Sequence, residues 1–182
     1  MIGRVWWLPV LAVAFVAPVL ATGDPGTEIK VTPLVADGHV SASFSAPDAL
    51  TDGGREVVKS GVPLTLTYVV ELRRPSTLWW DRVLGSATVA AKVKFDNLTS
   101  VYQVDKEQEG RVTWSKSTPK EDEMRNWITE FDGVPVQASE KLEPNADYYL
   151  RVRLQARPRL KVSLWPWGHD DALGRADFTF IR

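Results

Sequence analysis

Leu64-Thr65-Leu66-Thr67-Tyr68-Val69-Val70-Glu71-Leu72-Arg73 alternates with a period of two. Leu64, Leu66, Tyr68, Val70 and Leu72 fall on one side of an extended chain, and Thr65, Thr67, Glu71 and Arg73 on the other. That is the pattern of a strand with one buried and one wetter face. The same rhythm recurs on both sides of it. Ser86–Asp96 sets Ala87, Val89, Ala91, Val93 and Phe95 against Ser86, Thr88, Lys92, Lys94 and Asp96. Asp147–Arg157 sets Tyr148, Leu150, Val152, Leu154 and Ala156 against Tyr149, Arg151, Arg153, Gln155 and Arg157. Ile29–Val35 and His39–Phe44 form a hairpin around Ala36-Asp37-Gly38, because Asp-Gly supplies the positive φ of a tight turn. Thr99–Asp105 returns from a turn at Asp96-Asn97, and Arg111–Lys116, Leu160–Leu164 and Ala176–Ile181 add shorter strands.

Two segments have helical character. In Pro119–Phe131, Met124, Trp127, Ile128 and Phe131 recur at i, i+3, i+4 and i+7, one apolar stripe. Thr118 at the N-cap, Pro119 at the first helical position and Glu121 three residues after the cap are the signature of a capping box. Gly133 and Pro135 then close the element. Asp48–Ser60 is a weaker helix, since Gly53 and Gly54 cost roughly 1 kcal/mol each relative to Ala. Short strands joined mostly by short turns predict a mainly β fold. The expected architecture is an antiparallel β-sandwich or partly closed barrel with one or two short helices.

Composition bounds what such a fold can do. The 182 residues are 44% apolar and 25% charged, enough for one packed domain. The formal charge of −1 and pI near 6.1 argue against a general nucleic-acid binder. No cysteine is present, which excludes disulfides, zinc thiolates, a Cys nucleophile and a lipidated Cys.

The N-terminus reads as an export signal. Arg4 precedes Val5–Ala21, which carries no charge and ends in Val19-Leu20-Ala21. An uncleaved anchor is the alternative, but 17 residues span only about 25 Å as a helix against roughly 30 Å of hydrocarbon. Pro9 and Pro18 also weaken a straight helix. The expected organisation is a signal peptide or anchor over 1–21, a flexible leader over 22–28 and one β-rich domain over 29–182. Cleavage removes Arg4 and leaves 21 basic against 23 acidic residues, a net of −2. The expected location is the periplasm or another secreted bacterial envelope space.

Catalytic signals are sparse. The two histidines are His39, read as a solvent-facing hairpin residue, and His169 in His169-Asp170-Asp171. Three neighbours on one loop rarely converge on one ion, so no metal and no cofactor is expected. No G-x-S-x-G elbow marks a serine nucleophile. Glu121-Asp122-Glu123 opens a helix, where the dipole accounts for it.

Binding signals are stronger. Of eight tryptophans, four sit in Trp79-Trp80 and Trp165-Pro166-Trp167. Neighbouring strand residues point to opposite sides, so at least one ring per group should be partly exposed unless the rings plug the ends of the sandwich. The row Arg151, Arg153, Arg157, Arg159 and Lys161 offers cations to an acidic patch or a phosphate, or forms a solvated outer face that protects the sheet. The candidate binding residues are therefore Trp79, Trp80, Trp165, Trp167, Arg151 and Arg153.

Several segments together resemble one bacterial family. They are Thr32–Phe44, Gly61-Val62-Pro63-Leu64, Val70-Glu71-Leu72-Arg73-Arg74-Pro75, Trp79-Trp80-Asp81 and Tyr102-Gln103-Val104. The Pro119–Phe131 helix before Val134-Pro135-Val136 and Leu142–Leu154 follow. This set resembles the domain-of-unknown-function family DUF 4390, with Trp165-Pro166-Trp167 and the residues after it departing from the commonest pattern. The resemblance implies an exported bacterial protein with no assigned activity and no catalytic residues to carry over. Genes of the family often lie beside genes for membrane two-component sensor kinases, which implies a regulatory partner. The expectation is a non-enzymatic envelope module that binds a protein, with the outer domain of a sensor kinase as candidate partner. The alternative is a module that binds glycan or lipid head groups through exposed Trp and Arg residues. Contact with the membrane is expected only through an uncleaved N-terminal segment.

Overall fold

A computed structural model describes residues 28–36, 38–76, 80–139, 142–156 and 173–181. Nine strands and two helices lie among them: β1 Lys30–Ala36, β2 His39–Ser45, α1 Asp52–Lys59, β3 Leu64–Arg74 and β4 Arg82–Asp96. β5 Val101–Gln108, β6 Arg111–Thr118, α2 Glu121–Thr129, β7 Glu130–Ala138, β8 Ala146–Ala156 and β9 Leu173–Phe180 follow. All strand pairs are antiparallel, in two sheets of order β1-β2-β7 and β6-β5-β4-β3-β8-β9. The sheets remain separate, so the fold is a sandwich and not the partly closed barrel also considered. The export segment, the leader to Thr27, Trp79, the Leu160–Leu164 strand, His169 and the Trp165–Trp167 group lie outside the described residues.

The alternation in the sequence sets the two faces of the large sheet. Leu66, Tyr68, Val70 and Leu72 of β3 are buried beside Ala87, Val89, Ala91 and Val93 of β4 and Leu150 and Val152 of β8. The small sheet covers this layer with Val40, Ala42 and Phe44 of β2. Phe44 packs 5.1 Å from the rings of both Tyr68 and Phe131, centroid to centroid. Gly85 of β4 and Gly174 of β9 lie where the small sheet's edges come down onto the large one. A Cβ on Gly85 would stand 2.7 Å from the Val136 carbonyl oxygen, and one on Gly174 would collide with the Ile29 carbonyl oxygen. β5 and β6 run past the small sheet, and α2 covers them with Met124 and Ile128 fully buried.

Three boundaries differ from the sequence reading. α2 begins at Glu121, with Lys120 at the N-cap and no side-chain capping bond. Thr118 is still in β6, paired with Tyr102, so it cannot cap. Its hydroxyl instead donates to Glu123 Oε2 (2.8 Å) and accepts from the Lys120 N–H (3.1 Å). The C-terminal end is also earlier. Phe131 belongs to β7, opposite Phe44 and stacked on it at 17° between planes. Tertiary stacking thus converts the last apolar position of the helical stripe into a strand residue. Gly133 and Pro135, expected to end a helix, lie inside this strand. Pro135 is tolerated because, among the described strands, β7 is an edge strand paired with β2 alone, and the register slips beside its partner Ser41. Finally, α1 starts at Asp52, because the Thr51 hydroxyl accepts the Gly54 N–H at 3.2 Å and fixes the first turn there. Among the described residues no helix is long and apolar enough to cross a membrane.

Candidate functional site

The outer face of the large sheet, turned away from the small sheet, carries an unusual concentration of charge. Register fixes its three rows. Val69, Arg153 and Leu173 lie side by side; then Ser86, Glu71, Arg151 and Arg175; then Arg73, Tyr149 and Asp177. Antiparallel pairing therefore gathers Arg73, Arg151 and Arg153 around one glutamate, with Arg175 of β9 in the same row.

Glu71 is the hub, with its side chain 13% exposed. Arg151 donates to its Oε2 from Nε (3.1 Å) and Nη2 (2.6 Å), and Arg153 Nη2 donates to Oε1 (3.2 Å). Arg73 Nε stands 3.4 Å from Oε2. Burial pushes the Glu71 carboxyl up, but hydrogen bonding by Arg151 and the charges of Arg151, Arg153 and Arg73 together outweigh it. The carboxyl is held below the usual glutamate range. Three guanidiniums thus share one carboxylate. The Nε atoms of Arg73 and Arg153 are buried and make no hydrogen bond, that of Arg73 keeping only its electrostatic contact with Glu71.

Tyr149 extends the network toward Trp80. Its ring is buried although it faces outward, because Arg175 lies over it with the guanidinium carbon 3.9 Å from the ring centre. Arg175 is held there by Asp177, to which Nη2 donates at 2.6 Å. The Tyr149 hydroxyl donates to Asp81 Oδ2 and accepts from Arg73 Nη1 (3.4 Å). Asp81 also accepts the Ser76 N–H at 3.1 Å. The bond from Tyr149, then that from Ser76, holds the Asp81 carboxyl below its ordinary range. Asp81 is thereby anchored on the outer face, and its neighbour Trp80 is 91% exposed.

Of the residues singled out from sequence, the structure brings Arg151 and Arg153 into one patch, with the exposed Trp80 next in the chain to its Asp81. Trp79, Trp165 and Trp167, like Arg157, Arg159 and Lys161, lie outside the described residues. Arg151 and Arg153 do face outward, but they are drawn onto Glu71, with side chains 24% and 33% exposed. Sequence reasoning missed Glu71, Arg73, Tyr149 and Arg175 as members of the site. Glu71 and Arg73 stood out as charges on the wetter side of a strand, but nothing in one sequence says which strand pairs with β3.

The patch can do two things chemically. Its guanidiniums can hold oxyanions with paired N–H donors. Its exposed indole can cover an apolar or aromatic group. Elsewhere a cavity of about 220 Å³, lined by Arg74, Arg82, Leu84, Gln137, Glu143 and Tyr148, opens at the end of the sandwich. Arg74 closes on Glu143 there by two bonds of 2.7 Å, and the volume lies below the roughly 300–1,000 Å³ of ordinary ligand pockets.

The family model described as "Domain of unknown function (DUF4390)" matches residues 27–160, which include β1 to β8 and all of the patch except Leu173, Arg175 and Asp177 of β9. The chain belongs to the DUF4390 family. No curated protein and no solved structure gives a significant match. The matched residues thus hold the three-stranded sheet, five of the six strands of the large sheet and both helices, with β9 beyond the match, and the family supplies no activity for the patch.

Proposed function

We propose that this DUF4390 chain is a non-catalytic module of the bacterial envelope that binds another protein through the outer face of β3, β8 and β9. The observation that carries the reading is Trp80. Its ring is 91% exposed, while the next residue is fixed by the Ser76 and Tyr149 bonds to Asp81. A large ring on a fixed backbone loses little entropy when it is covered, and tryptophan and arginine are the residue types that dominate protein interfaces. The charge-free run ending at Ala21 supports an exported location. The sensor-kinase genes often found beside family members supply the partner: the outer domain of a membrane two-component sensor kinase.

Site-specific crosslinking tests this in the cells that make the protein. A photoreactive amino acid replaces Trp80 in one variant and Leu98 in another. Leu98 is 97% exposed in the turn at the opposite end of β4. A protein adduct from position 80 and none from position 98, with the adduct identified as a sensor domain, is the expected result. Retention on peptidoglycan or lipid without a protein adduct would overturn the reading and favour the glycan or head-group module.

A further inference from the structure

The charge on the outer face is unbalanced, and the imbalance is local. Arg175 has Asp177 as a close partner and Asp81 accepts from Tyr149, so these groups are individually satisfied. Counted over the described residues of this face, Arg73, Arg151, Arg153 and Arg175 stand against Glu71, Asp81 and Asp177, one positive charge in excess, and the Arg73, Arg151 and Arg153 side chains are 20%, 24% and 33% exposed. Both Glu71 oxygens are already occupied, so its carboxylate has little left to offer. The three guanidiniums retain most of their N–H donors. Partial burial strips them of some water, and among the described residues Arg151 and Arg153 have only the shared Glu71 as a close carboxylate, which favours an incoming anion.

Placement narrows the class of anion. Arg153, Glu71 with Arg151, and Arg73 occupy three successive rows along the strands. Rows on one face are two residues, or about 6.8 Å, apart. Trp80 adjoins the third row through the Asp81–Tyr149 bond. The site is thus a linear track, with cationic rows first and an indole at the end. A single round anion would use only one row. An extended peptide repeats its side chains on the same two-residue period and can match all three.

The geometry points to an acidic, extended segment of the partner protein as the ligand of this face, with carboxylates at positions i and i+2 on the Glu71-centred arginines and an apolar residue at i+4 against Trp80. This rests on the protein-binding function proposed above and specifies what the partner presents. Glu71 is then an internal stand-in for the partner's carboxylates. It keeps the arginines aligned when the face is empty and lowers their affinity for the ligand.

The test is fluorescence anisotropy with a labelled, C-terminally amidated peptide Glu-Ser-Glu-Ser-Trp and the same peptide with both Glu replaced by Gln. The acidic peptide should bind the wild-type protein and the Gln peptide should not, with binding weakened by added salt. Glu71→Gln removes the internal competitor and should tighten binding about tenfold, whereas Arg153→Gln should weaken it about tenfold. A purely structural ion-pair network predicts otherwise, with a lower melting temperature in Glu71→Gln and no tightening. Should Glu71→Gln fail to fold, Arg153→Gln decides, because Glu71 keeps Arg151 and Arg73. Failure of the acidic peptide to bind the folded protein, or equal competition by phosphatidylglycerol vesicles, overturns the inference. A Trp80-specific protein crosslink would survive the first of these results, so loss of the ligand class is distinguishable from loss of the protein-binding function itself.

Discussion

Replacing Gly174 by alanine should destabilise the sandwich, while the same change at Gly54 should stabilise it. Gly174 pairs with Val152 in β9 and lies against the start of the first strand. A Cβ there would overlap the Ile29 carbonyl oxygen and stand 2.7 Å from Val31 Cγ2 and 2.8 Å from Ile29 Cβ. Carbon atoms settle at about 3.5–4.0 Å, so β1 or β9 must retreat by nearly an ångström. The obstacle is main chain, which cannot rotate aside. Overpacking of this kind costs about 1–3 kcal/mol, and a backbone clash belongs in the upper half, about 2–3 kcal/mol. At about 2–4 °C per kcal/mol for a chain of this size, the melting temperature should fall by about 5–10 °C. Gly54 lies in α1, where a Cβ meets Leu50 Cδ1 and Thr51 Oγ1 at 3.4 Å, ordinary contact. Alanine there should add about 0.5–1 kcal/mol through helix propensity. Urea unfolding gives both values, and amide exchange across Lys30–Ala36 should quicken only in the Gly174 variant. A Gly174→Ala loss below about 0.5 kcal/mol, with β1 protection unchanged, would refute the claim that this contact closes the two sheets on each other.

Other expectations follow from the core and the termini. The fully buried Tyr68 hydroxyl donates to the Ile128 carbonyl at 3.1 Å, near the C-terminal end of α2. Tyr68→Phe should therefore cost about 1–3 kcal/mol in chemical denaturation. Burial raises the Tyr68 phenol well above its ordinary value, so its stabilisation is complete below about pH 10, where an unfolded tyrosine titrates, and falls as pH rises beyond that. An alkaline unfolding transition that is weaker in Tyr68→Phe would show it. Trp127 is half-buried against Trp114, with ring centres 5.1 Å apart, whereas Ile128 is fully enclosed. Ile128→Ala should cost about 2–5 kcal/mol and Trp127→Ala less than the 3–5 of a fully buried ring, a ranking readable from urea midpoints. N-terminal sequencing of protein purified from the envelope should give a first residue of Thr22; a start at Met1 would mean that the apolar segment is retained.

Much of the fold was legible in the sequence because its signal is local. The two-residue alternation of Leu64–Arg73, Ser86–Asp96 and Asp147–Arg157 marks strands with one buried face wherever those strands end up. Gly38, at φ +74°, takes the turn conformation that Asp-Gly implied. The β7 strand was not legible. Glu130–Ala138 contains glycine and proline and follows a helical stripe, so local rules end a helix there. Pairing with β2 from Ser45–Glu130 to His39–Ala138, with Phe131 packed on Phe44 and Tyr68, makes the segment a strand. The capping box failed for a related reason: Thr118 was already held by its ladder to Tyr102.

The candidate site divides in the same way. The sequence by itself determined which side chains share a side of each strand, and so placed Arg151 and Arg153 together on the wetter side of one strand and Glu71 and Arg73 together on the wetter side of another. It also determined that two adjacent tryptophans could not both enter one core, consistent with the exposure of Trp80. What only the tertiary structure decided is that β8 lies beside β3 in a register that sets Arg151 opposite Glu71. The two positions are 80 residues apart in the chain. Pairing partners and register are chosen by how whole sheets pack over a common core, and the side chains that come to share a carboxylate on the far face carry almost none of that choice.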